Sequence, residues 1–213
     1  RVYIDGFNFY YRLFKNSNRK FALTNAYKWL DLGKLSARLA IGETIDWVGY
    51  FTAPIIPNEL DPDQHIRQRA YLTALETLPN VEVIRGSFRQ VQKRGIQRSN
   101  PSQGVVLFDT FEEKGSDVNL GVRLVWDAAR GAFDAAIVIS NDSDLAEAIR
   151  IVTNEIGKPI FVYSPDVTVN NALRPPVSSD AQPLNTKLFK MCLLPDPVIT
   201  SAGIPISRPP RWS

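Results

Sequence analysis

Ala135-Ala136-Ile137-Val138-Ile139-Ser140 is followed without a break by Asn141-Asp142-Ser143-Asp144. An apolar run of this length, ended by turn-forming and acidic residues, reads as a strand buried on both faces that stops where the chain meets solvent. The helix after it carries Leu145, Ala148, Ile149 and Val152 at helical spacing, and Pro159 to Tyr163 is the next strand. Toward the N-terminus the same alternation repeats. Val2-Tyr3-Ile4 is a strand, followed by Asp5-Gly6 and a helix through Phe9 to Phe14. Helical Leu32 to Leu39 leads to a strand at Ile45 to Thr52. A helix over Leu60 to Leu78 repeats Ile66, Ala70, Ala74 and Leu78 every four positions and is stopped by Pro79; Val81 to Ile84 is the third strand. A helix over Ser116 to Arg130, with Val118, Val122, Val125 and Ala129 as its buried face, precedes the run first quoted. Strands alternating with helices over residues 1 to 164 predict an α/β fold, Rossmann-like, with a central parallel sheet flanked by helices.

Two segments interrupt the alternation. Arg85, Arg89, Lys93, Arg94 and Arg98 fall in one stretch without an acid, which predicts an insertion or hairpin with a basic face over residues 85–104. From Pro159 onward the chain holds ten of its fifteen prolines, which disfavours a further helix or central strand. Residues 165–213 therefore read as a Pro-rich wrapping tail packed on the same domain, with one short helix near Leu188 to Leu194.

Composition narrows the chemistry. At 213 residues, 44% hydrophobic and 22% charged, the chain is long enough for one full core and too ordinary in usage for wholesale disorder. A net charge of +3 is too small to imply a polyanion partner by itself. One cysteine, Cys192, and one histidine, His65, exclude a disulfide framework and any Cys- or His-built metal site, so a metal here must be held by oxygen. No run of 18 apolar residues is present, and the first residues are strand-like, which predicts no membrane span and a reducing, cytoplasmic setting.

The acids are the informative residues. Asp5 closes the first strand, and Asp142 and Asp144 follow the fourth. In a doubly wound sheet these two strands are neighbours at the switch point, where ligands bind at the carboxyl ends. Asp117 starts the helix before the fourth strand, behind Ser116 as N-cap, and can face the same crevice. Taken singly, Asp142 reads as a helix cap and Asp117 as a dipole partner. Together they repel, by ~3 kcal/mol for a pair ~5 Å apart at an effective dielectric of ~20, and such a cluster calls for a cation. Hard oxygen ligands point to Mg²⁺ or Mn²⁺.

The stretches Val2-Tyr3-Ile4-Asp5-Gly6-Phe7-Asn8-Phe9-Tyr10-Tyr11, Tyr27-Lys28-Trp29-Leu30-Asp31-Leu32, Glu112-Glu113-Lys114-Gly115-Ser116-Asp117-Val118-Asn119 and Ile139-Ser140-Asn141-Asp142-Ser143-Asp144-Leu145 resemble the NYN domain family, relatives of the PIN nucleases. The resemblance spans nearly the whole chain. It implies a PIN-like fold and metal-dependent ribonuclease activity on clustered aspartates: Asp5, Asp117, Asp142 and Asp144 as the acidic, metal-holding set, with Asn8 and Lys114 as polar companions. Some members of the family are described as hydroxylases of pyridine compounds.

These observations lead to one principal expectation, hydrolysis of RNA phosphodiester bonds. Tyr11 and Arg12 beside Asp5, with Arg89, Lys93 and Arg94 of the basic segment, would contact the nucleic acid. Phe88 reads as a stacking or core residue and His65 as a surface one. A small-molecule enzyme of the same family, a pyridine-compound monooxygenase using reduced nicotinamide, is one alternative; no G-x-G-x-x-G follows any strand, so a usual dinucleotide cradle is absent. A non-catalytic RNA-binding module is another. RNA is the expected partner, and homo-oligomerisation is left open by the sequence.

Overall fold

The computed structural model describes residues 1–15, 23–57, 60–96, 98–100, 102 and 104–212. Its spine is β1 (Val2–Asp5), buried along its whole length. Parallel neighbours flank it: β2 (Val48–Thr52) pairs Val2 with Val48, and β6 (Ala136–Ile139) pairs Ile4 with Ile139. Two further strands extend the sheet outward, β3 (Val81–Arg85) beside β2 and β7 (Ile160–Ser164) beside β6. A sixth strand, β8 (Asp180–Pro183), closes the far edge, giving a six-stranded parallel sheet in the order β3-β2-β1-β6-β7-β8. Strand order reverses between β1 and β6, so the fold is mixed α/β and Rossmann-like with its switch point there.

Helices cover both faces because consecutive residues of a buried strand point to opposite sides. Val2, Ile4, Val48 and Tyr50 pack with α1 (Gly6–Phe14), α2 (Leu32–Leu39) and α3 (Gln64–Leu75). Tyr3, Phe51 and Val138 pack with α4 (Ser116–Ala129) and α5 (Ala146–Arg150), which widens into a π turn over Ile151–Glu155. Each fully buried Leu or Ile in these layers contributes roughly 1.5–3 kcal/mol relative to its exposed state. No helix among the described residues is long and apolar enough to cross a membrane.

The tail joins the α1–α3 layer. Phe189, Cys192, Leu194, Val198 and Trp212 are buried in the same cluster as Trp29 and Leu30. The backbone of Leu30 bridges that of Leu193, and the Trp29 indole donates to the Pro195 carbonyl at 3.0 Å. A short 3₁₀ helix forms at Thr186–Met191, slightly ahead of the expected position. The segment Tyr27 to Leu32 thus receives the tail, while Asp31 caps α2 by accepting from the Lys34 amide.

Three expectations need correction. In α4 the buried residues are Leu120, Leu124, Asp127 and Ala128, whereas Val118 and Val122 are 66% and 64% exposed. Both stripes have helical spacing, so periodicity cannot choose between them. Asp127 does: its fully buried carboxylate accepts from the Tyr3 hydroxyl (2.8 Å), Arg1 (3.1 Å), Arg123 (3.1 Å) and Arg130 (2.7 Å), and burial against these donors turns that face inward. In the next helical segment, α3 begins at Gln64, not Leu60, and both Leu60 and Ile66 are exposed. Strand β2 begins at Val48, not Ile45. The basic segment, expected as an insertion or hairpin, is one arm of an antiparallel hairpin, β4 (Ser87–Ile96) with β5 (Val105–Lys114), in which Arg89 lies opposite Glu112 and Lys93 pairs with Glu112. Its basic face is therefore partly balanced by acids contributed from a strand the sequence reading missed. Residues 97, 101 and 103 of that segment lie outside the described ones.

Replacing Asp127 with Ala leaves Tyr3 and three arginines without their shared acceptor. Truncating one partner of a buried charge network typically costs about 3–5 kcal/mol. Urea denaturation of Asp127→Ala against wild type should show a loss of that order, and a change under ~1 kcal/mol would contradict the assigned role.

Candidate active site

Asp5 ends the central strand and begins the site. Its carboxylate accepts from the Asn8 amide at 3.0 Å, which caps α1, and from the Ser140 hydroxyl at 2.8 Å, at the end of β6. The turn into α1 brings backbone and neighbours close enough that a Cβ at Gly6 would lie 2.7 Å from the Phe51 carbonyl and 2.8 Å from the Tyr50 ring. Only glycine fits there. Burial, only partly offset by those two hydrogen bonds and reinforced by Asp117 and Asp142, pushes the Asp5 carboxyl up to about 7.

Asp142 follows Ser140 and accepts from the Asp144 amide at 3.0 Å, capping a 3₁₀ turn at Ser143–Leu145. Asp117 lies in the first turn of α4, whose N-cap is Gly115, not Ser116; φ at Gly115 is +99°, a conformation side-chain-bearing residues rarely adopt. The capping acceptor is Glu113, which takes the Ser116 amide at 3.0 Å and its hydroxyl at 2.7 Å. Half-burial first, then Asp142, Glu113 and Asp144, raise the Asp117 carboxyl above its ordinary value.

Asp5, Asn8, Tyr11, Arg12, Asp117 and Asp142 all line one crevice of about 360 Å³ at the carboxyl end of β1, together with Phe7, Phe88 and Glu113. Asn8 ties its walls together, its Oδ1 accepting from the Asn141 amide at 2.9 Å. Arg12 pairs with Asp166 at 3.3 Å. Six of the eleven residues expected from the sequence are thus brought together, and five are not. Asp144 is exposed and outside the lining, reaching Asp117 only through its charge. Lys114 is exposed, pairs with Glu112 at 2.8 Å and does not line the crevice. Arg89, Lys93 and Arg94 stand exposed along the hairpin, away from the lining. Glu113, Phe7, Ser140 and Asn141 were missed. Glu113 is recoverable from its place three residues before Ser116, where a side chain can reach back to a helix start.

The donors suit Mg²⁺ or Mn²⁺, being carboxylates with a carboxamide beside them. Among the described residues, however, no three His, Cys, Asp or Glu side chains are gathered closely enough to hold a metal ion in this conformation. The crevice supplies the right oxygens, and a cation would have to draw them in.

No protein-family profile matches the chain. Over 242 aligned residues it is 26% identical to 6-hydroxy-3-succinoylpyridine 3-monooxygenase HspA of Pseudomonas putida, the alignment spanning 100% of this chain and 74% of that protein. Its fold is similar to the crystal structure of a protein of unknown function from Vibrio parahaemolyticus, with a TM-score of 0.54, 16% identity, and coverage of 91% of this chain and 94% of that one.

The raised Asp5 carboxyl fixes a sign for pH dependence in chelator-treated protein. Below about pH 4 the group is protonated in folded and unfolded states alike and costs nothing. As pH rises toward 7 only the unfolded state ionises, so stability falls by up to about 1.4 kcal/mol per pH unit, levelling off above 7. Asp5→Asn should flatten this decline, so its stability relative to wild type should rise between pH 4 and pH 8 in denaturant titrations. Parallel pH profiles for the two proteins would refute the burial argument.

Proposed function

We propose that this protein is a divalent-cation-dependent ribonuclease of the NYN, PIN-like kind, its active site the crevice bounded by β1, α4 and the loop after β6. The observation that carries the reading is the convergence of Asp5, Asp117 and Asp142 on that crevice, where the one cationic side chain of the lining among the described residues, Arg12, is engaged with Asp166. The carboxylates repel a phosphodiester, and Asp142 beside them raises the proton affinity of Asp5 and Asp117, so an anionic substrate requires positive charge to be brought in. Mg²⁺ or Mn²⁺, when bound by Asp5, Asp117 and Asp142, would supply that charge and lower the pKa of attacking water.

The chain's own residues supply the rest. Asn8 ties α1, which starts at Asp5, to the loop after β6 that carries Asp142. Phe7 and Tyr11, with ring centroids 6.3 Å apart, and Phe88, edge-on to Phe7 at 5.9 Å, form an aromatic wall on which bases stack. Arg89 and Arg94, exposed on β4, provide sequence-independent contacts to the phosphate backbone.

The likeness to a pyridine monooxygenase favours a second reading, in which the same crevice acts on a heteroaromatic small molecule with reduced nicotinamide as electron source. Asp5 already occupies the N-terminus of α1, where the pyrophosphate sits in the usual Rossmann mode, so the dinucleotide would have to bind elsewhere.

A labelled RNA oligonucleotide, incubated with Mg²⁺ or Mn²⁺ and with or without chelator, tests the proposal. Asn at position 142 keeps the cap on the Asp144 amide but removes the charge, so Asp142→Asn should cut on the order of 10²-fold more slowly or worse. Cleavage surviving both chelator and mutation would overturn the assignment. Oxygen consumption coupled to reduced nicotinamide, without cleavage, would establish the second reading instead, because side chains alone cannot activate oxygen.

A further inference from the structure

The acid crevice does not end at its aromatic wall. Phe7 and Tyr11 are shared with a second cavity under α1, lined also by Tyr10, Tyr27, Tyr50 and Trp212. Tyr50 is the telling residue. Of the tyrosines most deeply buried, Tyr3 donates to Asp127 and Tyr71 donates to the Leu30 carbonyl at 3.0 Å, whereas Tyr50, 6% exposed, makes no hydrogen bond from its hydroxyl among the described residues. That hydroxyl opens on the cavity, where it can donate to or accept from a ligand. Its ring abuts Gly6, placing it next to Asp5 at the junction with the acid crevice.

On its other side the aromatic cavity shares Tyr10, Lys28, Gln64 and Trp212 with a third cavity of about 270 Å³, into which Lys15, Lys28, Arg67 and Arg211 converge against one carboxylate among the described residues, Asp61. Asp61 is taken by Arg67 and by Arg211, the latter at 2.9 Å. Lys28 has no carboxylate partner among the described residues; its ammonium lies 5.5 Å from the centroids of both the Tyr10 and Phe14 rings. Burial, and then the like charges of Lys15, Arg67 and Arg211, disfavour its charged form, so the local field calls for an anion.

We propose that these adjoining cavities form a recognition site for a planar heteroaromatic ring that carries an anionic group. The ring packs among the aromatic side chains with a polar edge at the Tyr50 hydroxyl, and the anion sits at Lys28 and Arg211. A nucleotide phosphate and a heteroaryl carboxylate share this chemistry. The proposal names the substrate class of the neighbouring crevice and so rests on that crevice being an active site, but binding, not turnover, reads it out.

The test is calorimetric titration of the full chain, in chelator, with uridine 5′-monophosphate and nicotinate, and with their neutral counterparts uridine and nicotinamide. At least one anionic ring should bind tenfold or more tightly than its neutral counterpart, and which of the two does so identifies the source of the anion. Lys28→Met keeps the stem over Tyr10 and should erase that preference; Arg211→Gln, at an exposed position, should reduce it while near-ultraviolet circular dichroism stays unchanged. Tyr50→Phe should weaken charged and neutral rings alike. Equal affinity for charged and neutral rings, absence of binding by folded wild type, or an undiminished preference in both cation variants would overturn the proposal. RNA cleavage with no such binding would overturn this inference alone, whereas binding without cleavage would leave it standing and count against the nuclease.

Discussion

A buried carboxylate at the end of the central strand organises this molecule. Asp5 is 2% exposed, and both of its oxygens are already committed, one to the first turn of α1 and one to Ser140 at the end of β6. The same side chain therefore sets the start of the first helix and the distance between the two strands on either side of the switch point. Keeping it ionised is unfavourable, and the fold adds Asp117 and Asp142 nearby instead of a cation. Such an arrangement needs a rigid frame. The sheet provides it through two apolar layers, one closed by the tail through Trp29, Phe189 and Trp212, the other by α4 and α5.

Helix α1 then distributes the surroundings by its own periodicity. Phe9 and Leu13 face the core, Asn8 faces the loop after β6, Phe7 and Tyr11 one turn apart face the acid crevice, and Tyr10 and Phe14 face the cavity rimmed by Lys28. A single nine-residue helix thereby borders an acidic, an aromatic and a basic space. A ligand spanning the last two would hold an anion at the basic end and lay its ring among the aromatic side chains beside the carboxylates.

Much of this was legible in the sequence, and what was not has physical reasons. Buried parallel strands are continuous apolar runs, so β1, β3, β6 and β7 stand out from flanking turns, and acids placed after two such runs converge at a switch point by topology alone. Strand β8 was hidden because Asp180-Ala181-Gln182-Pro183 is an exposed edge, where polar residues and proline are tolerated. Strand β5 was hidden because a two-stranded arm is not half-buried on one face and shows no clean alternation. The inward face of α4 depended on Asp127, a charge whose burial is decided by donors distant in sequence. The basic cavity was equally invisible: Lys28, Arg67 and Arg211 come from three separate elements, and only the folded tail brings the last of them to the others.

The claim on which the account turns is that the crevice carboxylates are unbalanced until a divalent cation draws them together. Anomalous diffraction from crystals of the wild-type chain soaked in Mn²⁺ tests it most directly. The account requires an anomalous peak within ligating distance, about 2.0–2.3 Å, of oxygens from at least two of Asp5, Asp117 and Asp142. A fully soaked crystal with no peak in that crevice, or with its strongest peak on carboxylates elsewhere, would contradict it.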